Sequence, residues 1–190
     1  MNVFFKKVAI VAIAAVSMSV AVHAQTPTFN KGEQLAGIGI GIGGHSFGDG
    51  YSGTPYFTGY YENCVKDHLF DEKSSLGIGG TVGYKSNKWE TTLMGSSYGW
   101  KYTYFLFGVR GSLHYAFVDK LDTYAGLMTG YRIASDKKIG NAPGSAESYG
   151  GFTSDFYVGG RYYFSDTFAA FLELGYSWFS FGTIGLSVKF

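Results

Sequence analysis

The sequence predicts an all-β protein, an eight-stranded antiparallel up-and-down transmembrane β-barrel that follows a cleaved N-terminal signal peptide. Apolar residues alternate with small or polar residues along most of the chain, which is the pattern of strands with two different faces. Aromatic residues make up 19% of the chain and charged residues only 15%, against about 25% charged residues in ordinary soluble domains. Beyond residue 24 no apolar run approaches ~18 residues, so this chain could cross a bilayer only as a closed barrel.

The first 24 residues have the layout of a secretory signal. Lys6 and Lys7 precede an apolar run over residues 8–22, and Ala24 closes a cleavage site with Val22 two positions before it. The run is short for a membrane-spanning helix. We therefore predict a signal peptide over residues 1–24, a barrel domain over residues 25–190, and export to the bacterial outer membrane.

The first four strands are predicted at residues 34–44, 56–66, 75–85 and 102–117. In the first, three isoleucines alternate with glycines, a composition too rich in glycine for a stable helix. The second strand has the least regular alternation. The third and fourth each place their large apolar side chains on one face. These are Leu76, Ile78, Val82 and Tyr84 in the third, and Phe105, Phe107, Val109, Leu113, Tyr115 and Phe117 in the fourth.

The last four strands are predicted at residues 121–133, 152–164, 168–178 and 183–190. The connections after strands one, three and five are long, at residues 45–55, 86–101 and 134–151. Those after strands two, four and six and the final hairpin are short. This asymmetry is typical of bacterial outer-membrane barrels, and an even number of strands leaves both termini on the short-turn side, in the periplasm.

Charged residues in the predicted strands all fall on the face opposite the apolar one. They are Glu62, Lys66, Lys85, Arg110, His114, Asp122, Arg132, Asp155, Arg161, Glu173 and Lys189. A basic residue facing lipid near the midplane costs roughly 2–4 kcal/mol, so we predict that the apolar face meets lipid and the charged face lines the lumen. Asn63 is the exception, because this register turns it toward lipid. The alternative is a soluble barrel of the lipocalin kind with its apolar face inside, whose outer surface would be unusually uncharged.

Aromatic residues gather at the two ends of the predicted strands, as they do at the two interfaces of a membrane protein. One predicted girdle contains Tyr84, Tyr131, Tyr176 and Trp178. The other contains Tyr115, Phe117, Tyr162, Phe164, Phe168 and Phe190.

Several stretches of the second half carry a family resemblance. They are residues 108–115 (GVRGSLHY), 121–126 (LDTYAG) with 130–131 (GY), 158–164 (VGGRYYF), 173–176 (ELGY) and 185–190 (GLSVKF). They resemble the small outer-membrane β-barrel family related to the OmpA transmembrane domain, OmpX and OmpW, well over residues 75–190 and loosely over 34–66. The resemblance implies the fold and location but no single activity, since members serve as structural barrels, adhesins or narrow pores. It also implies that Phe190, with Val188, Leu186 and Ile184 before it, is the signal that the outer-membrane assembly machinery recognises.

Three local motifs suggest chemistry that their contexts do not support. The GxGxxG motif at residues 39–44 matches the dinucleotide fingerprint but lacks the helix that should follow. The GxSxG motif at residues 95–99 matches a hydrolase nucleophile elbow but lies in a predicted surface loop. His45, Ser46 and Asp49 lie at the predicted mouth, but neighbours on an extended chain point to opposite faces. We therefore predict no enzyme, no cofactor and no metal site, and Cys64 alone can form no internal disulfide.

The lumenal charges predict an internal salt-bridge network that plugs the barrel, since buried charges must be paired; the alternative is a gate. The predicted network contains Glu62, Arg110, Arg161, Glu173, Asp155 and Lys189. The leading function is a structural or surface-interaction barrel, and the alternatives are a narrow gated pore and a lipid-modifying enzyme acting at the rim. The expected partners are outer-membrane lipids, lipopolysaccharide and the assembly machinery. No nucleic acid is expected because 15 basic residues barely exceed 14 acidic ones, and we expect a monomer.

Overall fold

The computed structural model describes residues 28–44, 51–93 and 96–190. Across these residues the chain forms nine strands. They are β1 (Gln34–Ile42), β2 (Tyr51–Gly53), β3 (Tyr56–Asp67), β4 (Ser74–Leu93), β5 (Ser96–Val118), β6 (Leu121–Ile139), β7 (Ser148–Tyr163), β8 (Phe168–Tyr176) and β9 (Gly182–Lys189). No helix in the described part of the chain has the length and apolar character needed to cross a membrane.

Eight of these strands close a ring, as predicted. Each pairs antiparallel with its neighbour from β3 through β9, and β1 joins both β3 and β9 to complete the circle. Pairs such as Leu35↔Lys189 and Ile42↔Gly182 fix the closing seam. The short β2 stands outside the ring and pairs with β4 at Tyr51↔Trp89. Closure leaves no unpaired edge in the barrel wall, which is the condition for placing a sheet in lipid.

The two faces of the barrel carry opposite chemistry. Apolar side chains point outward, where Ile38 is 71% exposed and Phe107 is 53% exposed. Charged side chains point inward, where Glu62 and Arg161 are fully buried. The soluble alternative, with its apolar face inside, is therefore wrong. Asn63 does face outward, but it lies opposite Gln34 at the very start of β1, at the end of the wall where polar groups meet water.

Glycine and tyrosine share the lumen as complementary pairs. The Tyr60 ring lies over Gly37 on the neighbouring strand, so that a Cβ on Gly37 would stand 2.4 Å from it. The Tyr157 ring covers Gly126 in the same way, again at 2.4 Å. An eight-stranded barrel is filled by its own side chains, and here glycines provide the space into which large rings fold.

The predicted long loops are shorter than the sequence indicated. β4 continues to Leu93 and β5 begins at Ser96, and the two strands pair regularly through most of the predicted loop at 86–101, with Trp89 opposite Trp100. β6 runs to Ile139 and β7 begins at Ser148, which shortens the predicted loop at 134–151. These segments carry polar residues on both faces, so they lack the apolar alternation that marks a membrane-facing strand. We call β2 together with residues 86–103 and 134–151 the extension.

Two further predictions of side-chain direction are wrong. A bulge between Cys64 and Lys66 shifts the register of β3, so Lys66 lies opposite Leu76 on the outer face rather than in the lumen. Trp178 follows the end of β8 and packs against Tyr104 and Phe179, with ring centroids 4.7 and 5.1 Å away. Trp178 therefore covers the mouth of the barrel instead of joining the outer girdle.

Candidate functional site

A chain of charged side chains crosses the lumen near mid-height. Arg110 projects from β5 and donates to the Glu173 carboxylate of β8 at 2.8 Å. Its Nε lies 3.7 Å from Glu62 on β3, on the other side of the lumen. The Tyr124 hydroxyl also donates to Glu173, at 3.1 Å. Three separate strands are thereby joined through one guanidinium.

The chain continues toward the end of the barrel that holds the termini. The imidazole of His114 lies between two carboxylates, with Nε2 3.7 Å from Glu62 and Nδ1 2.9 Å from Asp122. Asp122 in turn accepts from Arg161 at 2.5 Å, and Arg161 also donates to the Tyr60 hydroxyl at 3.0 Å. An unbroken series of ionisable groups thus runs from Glu173 to Arg161.

Aromatic rings hold both guanidinium groups in place. Arg110 lies between the rings of Tyr60 and Tyr157, 4.4 Å from each centroid. Arg161 lies 4.8 Å from the Tyr124 ring. Such cation–π contacts gain strength when water is excluded. Ser112 completes the assembly, because its hydroxyl donates to Glu62 and lies 2.8 Å from the Tyr157 hydroxyl.

The predicted network residues divide into two groups. The structure brings Glu62, Arg110, Arg161 and Glu173 into one connected chain. Asp155 lies apart from them and accepts from the Ser177 hydroxyl at 2.7 Å. Lys189 also lies apart, at the end with the termini, where its ammonium is 3.2 Å from Glu33. Asp155 and Lys189 are therefore not members of the mid-height chain.

His114 and Asp122 link the chain, although the predicted network did not include them. Both were placed on the lumenal face by the alternation, but the sequence gives no measure of their distance from Glu62 or Arg161. The signal that could have found them is the register: β5 and β6 form a tight hairpin that sets His114 opposite Tyr124 and Asp122 opposite Ala116. Asp122 is therefore two positions away from the residue opposite His114, and long side chains can meet across that diagonal distance.

Each mouth of the lumen has an apolar cover. At the end with the termini, Phe29 is fully buried and packs with Leu35, Cys64 and Phe171, and its ring lies 5.0 Å from His114. Nothing in the sequence pattern distinguished Phe29, because it precedes the first strand. Cys64 faces inward and is buried.

At the opposite mouth, Phe179 is fully buried against the ring of Tyr56, 5.1 Å away. Lys85 points into the same mouth and donates to two carbonyl oxygens, those of Gly43 at 2.7 Å and Phe179 at 2.8 Å. Arg132 covers the outer side of this cluster, with its guanidinium 4.1 Å from the Trp178 ring. Apolar side chains therefore cover both ends of the described lumen, and the charge chain lies between them.

The four residues of the predicted assembly signal lie on one face of the last strand. Ile184 and Leu186 project outward from β9, each more than half exposed. Phe190 follows the strand and exchanges two backbone hydrogen bonds with Gln34, at 2.7 and 3.0 Å. The C-terminal segment is therefore exposed on its apolar side and fixed to β1 by its backbone.

The enzyme-like motifs acquire no catalytic surroundings. Ser97 lies on β5, not in a loop as predicted, and its hydroxyl is 3.0 Å from that of Thr92 across the hairpin. Gly39 and Gly41 belong to β1. His45, Ser46 and Asp49 lie outside the described residues. Within the described part of the chain no cluster of His, Cys, Asp or Glu could hold a metal ion.

A closed ring of eight antiparallel strands, apolar outside and charged within, defines the fold of the small bacterial outer-membrane β-barrels. A structure of Ail, the attachment invasion locus protein of Yersinia pestis, in complex with the heparin analogue sucrose octasulfate, matches with a TM-score of 0.53. The two chains are 15% identical over 84% of this chain and 99% of Ail. This likeness establishes the fold.

A second solved structure with some similarity is the N-terminal β-barrel domain of Pseudomonas aeruginosa OprF. It matches with a TM-score of 0.44 and 13% identity, over 85% of this chain and 98% of that domain. No model of a known protein family matches the sequence, and no curated protein matches it.

Proposed function

We propose that this chain is an exported outer-membrane protein whose barrel is closed by its own side chains and whose role is structural or depends on surface interactions. The observation that carries the proposal is the chain from Glu173 through Arg110 and Glu62 to Arg161, which occupies the lumen at mid-height. A barrel filled in this way is unsuited to general diffusion of solutes. Its exposed chemistry then lies on the extension, where loops and strand ends carry function.

The apolar outer wall supports the membrane location. Tyr131, Tyr176 and Tyr84 project outward near one end, and Phe117, Phe164 and Phe190 near the other. Two aromatic belts bounding an apolar band are the surface that a bilayer requires. In this location the end with the termini faces the periplasm and the extension faces the outside of the cell.

The last strand suggests one partner, and the closed ring suggests the oligomeric state. Ile184, Leu186, Val188 and Phe190 present alternate apolar side chains that the outer-membrane assembly machinery would recognise. Because the ring of eight strands is closed at every neighbouring pair, including β1 with β9, we propose that the protein acts as a monomer.

Electrophoresis and conductance together test this proposal. The protein in isolated outer membranes should migrate faster on detergent gels before boiling than after it, since a closed barrel resists detergent until it is heated. The same purified protein in a planar bilayer should give no conductance steps. Recovery from the periplasm with no change of migration would contradict the membrane location, and regular conductance steps would contradict the closed lumen.

A narrow gated pore is the second candidate, and one observation favours it. A small chamber lies beside Arg110 on the side of the extension, and Thr58, Thr81, Asp155 and Ser180 line it together with apolar side chains. If Arg110 left Glu173, water in this chamber would gain access to the lower lumen. Conductance that appears in Arg110→Met but not in the parent protein would support a gate. Absence of conductance in both proteins would favour a lumen that stays closed by its own side chains.

A further inference from the structure

The outer face of β4, β5 and β6 changes its chemistry in regular rows. Antiparallel pairing sets residues of the three strands side by side, and every second residue faces outward. From the aromatic girdle toward the tip, the rows are Tyr84, Phe105 and Ile133, then Ser86, Thr103 and Ser135, then Lys88, Lys101 and Lys137. The order is therefore apolar, hydroxyl and cationic on three adjacent strands.

The lysine row is unfavourable by itself. Directly opposite side chains have Cβ atoms about 4.5–5.5 Å apart, and like charges at that spacing destabilise a sheet. Lys88 is compensated by an ion pair with Glu90. Lys101 and Lys137 are exposed, and neither forms an ion pair with any residue in the described part of the chain. An anion bound across the row would remove this repulsion.

An apolar groove lies beneath the lysine row. Its floor is Gly59, and its walls include Ile38, Phe57, Val82 and Phe107. A Cβ on Gly59 would meet Val82 at 3.6 Å, which is an ordinary contact, so neighbouring atoms do not require glycine here. The groove exists because Gly59 has no side chain to fill it. Tyr84 lines both this groove and the cleft that contains the three lysines. The groove and the lysine cleft therefore adjoin at Tyr84.

We propose that this face binds a phosphorylated glycolipid of the outer leaflet. Its phosphate lies against Lys88, Lys101 and Lys137, its sugar hydroxyls against Thr103 and Ser135, and an acyl chain against Gly59. The proposal rests on the proposed function, because it needs the barrel to stand in the outer membrane with the extension outside.

The position of the groove next to the lysine cleft, with Tyr84 lining both, favours this occupant over a soluble polyanion. A sulfated polysaccharide would use the lysines but would leave the groove to ordinary lipid. A phosphorylated glycolipid matches all three rows at once, because its own order is acyl chain, sugar and phosphate. Basic residues at a membrane surface attract anionic headgroups, each with a modest effect that is added to the others.

The experiment uses the full barrel in nanodiscs of phosphatidylcholine with diphosphoryl lipid A as the titrated lipid. The test variant is Lys101→Gln with Lys137→Gln. The matched control is Lys66→Gln with Lys73→Gln, which removes the same charge at the opposite end of the barrel. The test variant should bind lipid A about 30-fold more weakly, from roughly fivefold per lysine. The control should stay within about twofold, and dephosphorylated lipid A should abolish the difference.

A second variant tests the groove independently of charge. Gly59→Leu fills the floor with an outward side chain whose Cβ would make only ordinary contacts with the wall. It should weaken lipid A binding about tenfold, equivalent to two methylene groups leaving the groove. Binding of a headgroup-only phosphosugar should be unchanged.

Each result has a distinct meaning. Equal lipid A affinity in the parent and the Lys101/Lys137 variant overturns the proposal. So does loss of heparin binding in that variant with unchanged lipid A affinity, because the lysines would then serve a soluble polyanion. Every variant is also checked for heat-dependent migration. Absence of that change in the parent protein is a failure of the proposed function, whereas normal migration with unchanged lipid affinity is a failure of this inference alone.

Discussion

Charge is organised in opposite ways in the lumen and on the outer face of the extension. In the lumen, Arg110 and Arg161 are buried and each contacts a carboxylate. On the extension, Lys101 and Lys137 are exposed and form no ion pair with any described residue. Burial makes pairing obligatory, because an uncompensated charge out of water is strongly destabilising. The difference teaches that the lumenal charges serve the fold, while those outside are free to meet a partner.

Replacing Arg110 should have the largest effect. Arg110→Met leaves Glu62 and Glu173 buried without their shared cation, and breaking a buried pair costs about 3–5 kcal/mol. We expect the free energy of unfolding, measured by urea titration in lipid vesicles, to fall by that amount. Arg132→Met is the matched control, since it removes a half-buried guanidinium that lies over the Trp178 ring and forms no ion pair with a described residue. Its expected loss is about 0.5–1 kcal/mol. Equal midpoints for Arg110→Met and the parent would remove the network from the account of stability.

The sequence predicted the barrel wall well because lipid imposes a strict rule. Every second residue from Ile38 to Ile42 must be apolar, and a shift by one residue would place charges in lipid. No such rule applies above the girdle, where β4 carries the polar residues Asn87, Lys88 and Glu90 close together. The hairpin there was consequently mistaken for a loop. The bulge at Val65 escaped prediction because it changes register without changing composition.

The site was predictable only as a set of residues on one face. Alternation assigns His114 and Asp122 to the lumen, but their contact depends on the relative stagger of β5 and β6. The position of Phe29 depends on a segment before the first strand that folds back into the lumen. Contacts that depend on stagger or on a returning segment are tertiary facts, and a period-two pattern does not contain them.

Two glycines illustrate the contrast between the crowded lumen, where Gly37 lies, and the open outer wall, where Gly59 lies. A Cβ at Gly37 would stand 2.4 Å from the buried Tyr60 ring, and overpacking of this kind costs typically 1–3 kcal/mol. We expect Gly37→Ala to lower the unfolding free energy by that amount. Gly59→Ala should instead be neutral or stabilising by up to about 1 kcal/mol, because glycine in a strand loses more chain entropy on folding. Equal losses in the two variants would show that the lumen is not packed as described.

Neutralising the lysine row should hardly change stability. In zwitterionic detergent without anionic lipid, Lys101→Gln with Lys137→Gln relieves repulsion between opposite side chains and should raise the unfolding free energy by about 0.2–1 kcal/mol. Thermal unfolding followed by circular dichroism measures this. Lys66→Gln with Lys73→Gln should stay within about 0.5 kcal/mol of the parent. A large loss of unfolding free energy in the Lys101/Lys137 variant would mean that these lysines stabilise the fold as the lumenal charges do. The contrast between the two regions would then be wrong.

The smallest effect on stability is expected in the short turn between β3 and β4. There the exposed carboxylate of Asp71 still accepts hydrogen bonds from neighbouring residues. Asp71 accepts a hydrogen bond from the Lys73 amide at 2.9 Å and one from the Tyr115 hydroxyl at 2.8 Å. These bonds hold the pKa of Asp71 below its usual value, which is near 3.9. A lowered pKa in the folded state means that the ionised carboxylate stabilises the turn above about pH 4, and that this stabilisation disappears as the pH falls through the folded value.

Hydrogen exchange of the turn amides tests this expectation in the parent and in Asp71→Asn. The ratio of their protection factors cancels the intrinsic pH dependence of exchange. It should be constant above about pH 5 and fall toward one on acidification below about pH 4. A ratio that is the same from neutral pH to about pH 2 would mean that the Asp71 charge does nothing for the turn. The rule drawn from the lumen, that charges with partners serve the fold, would then hold only where they are also buried.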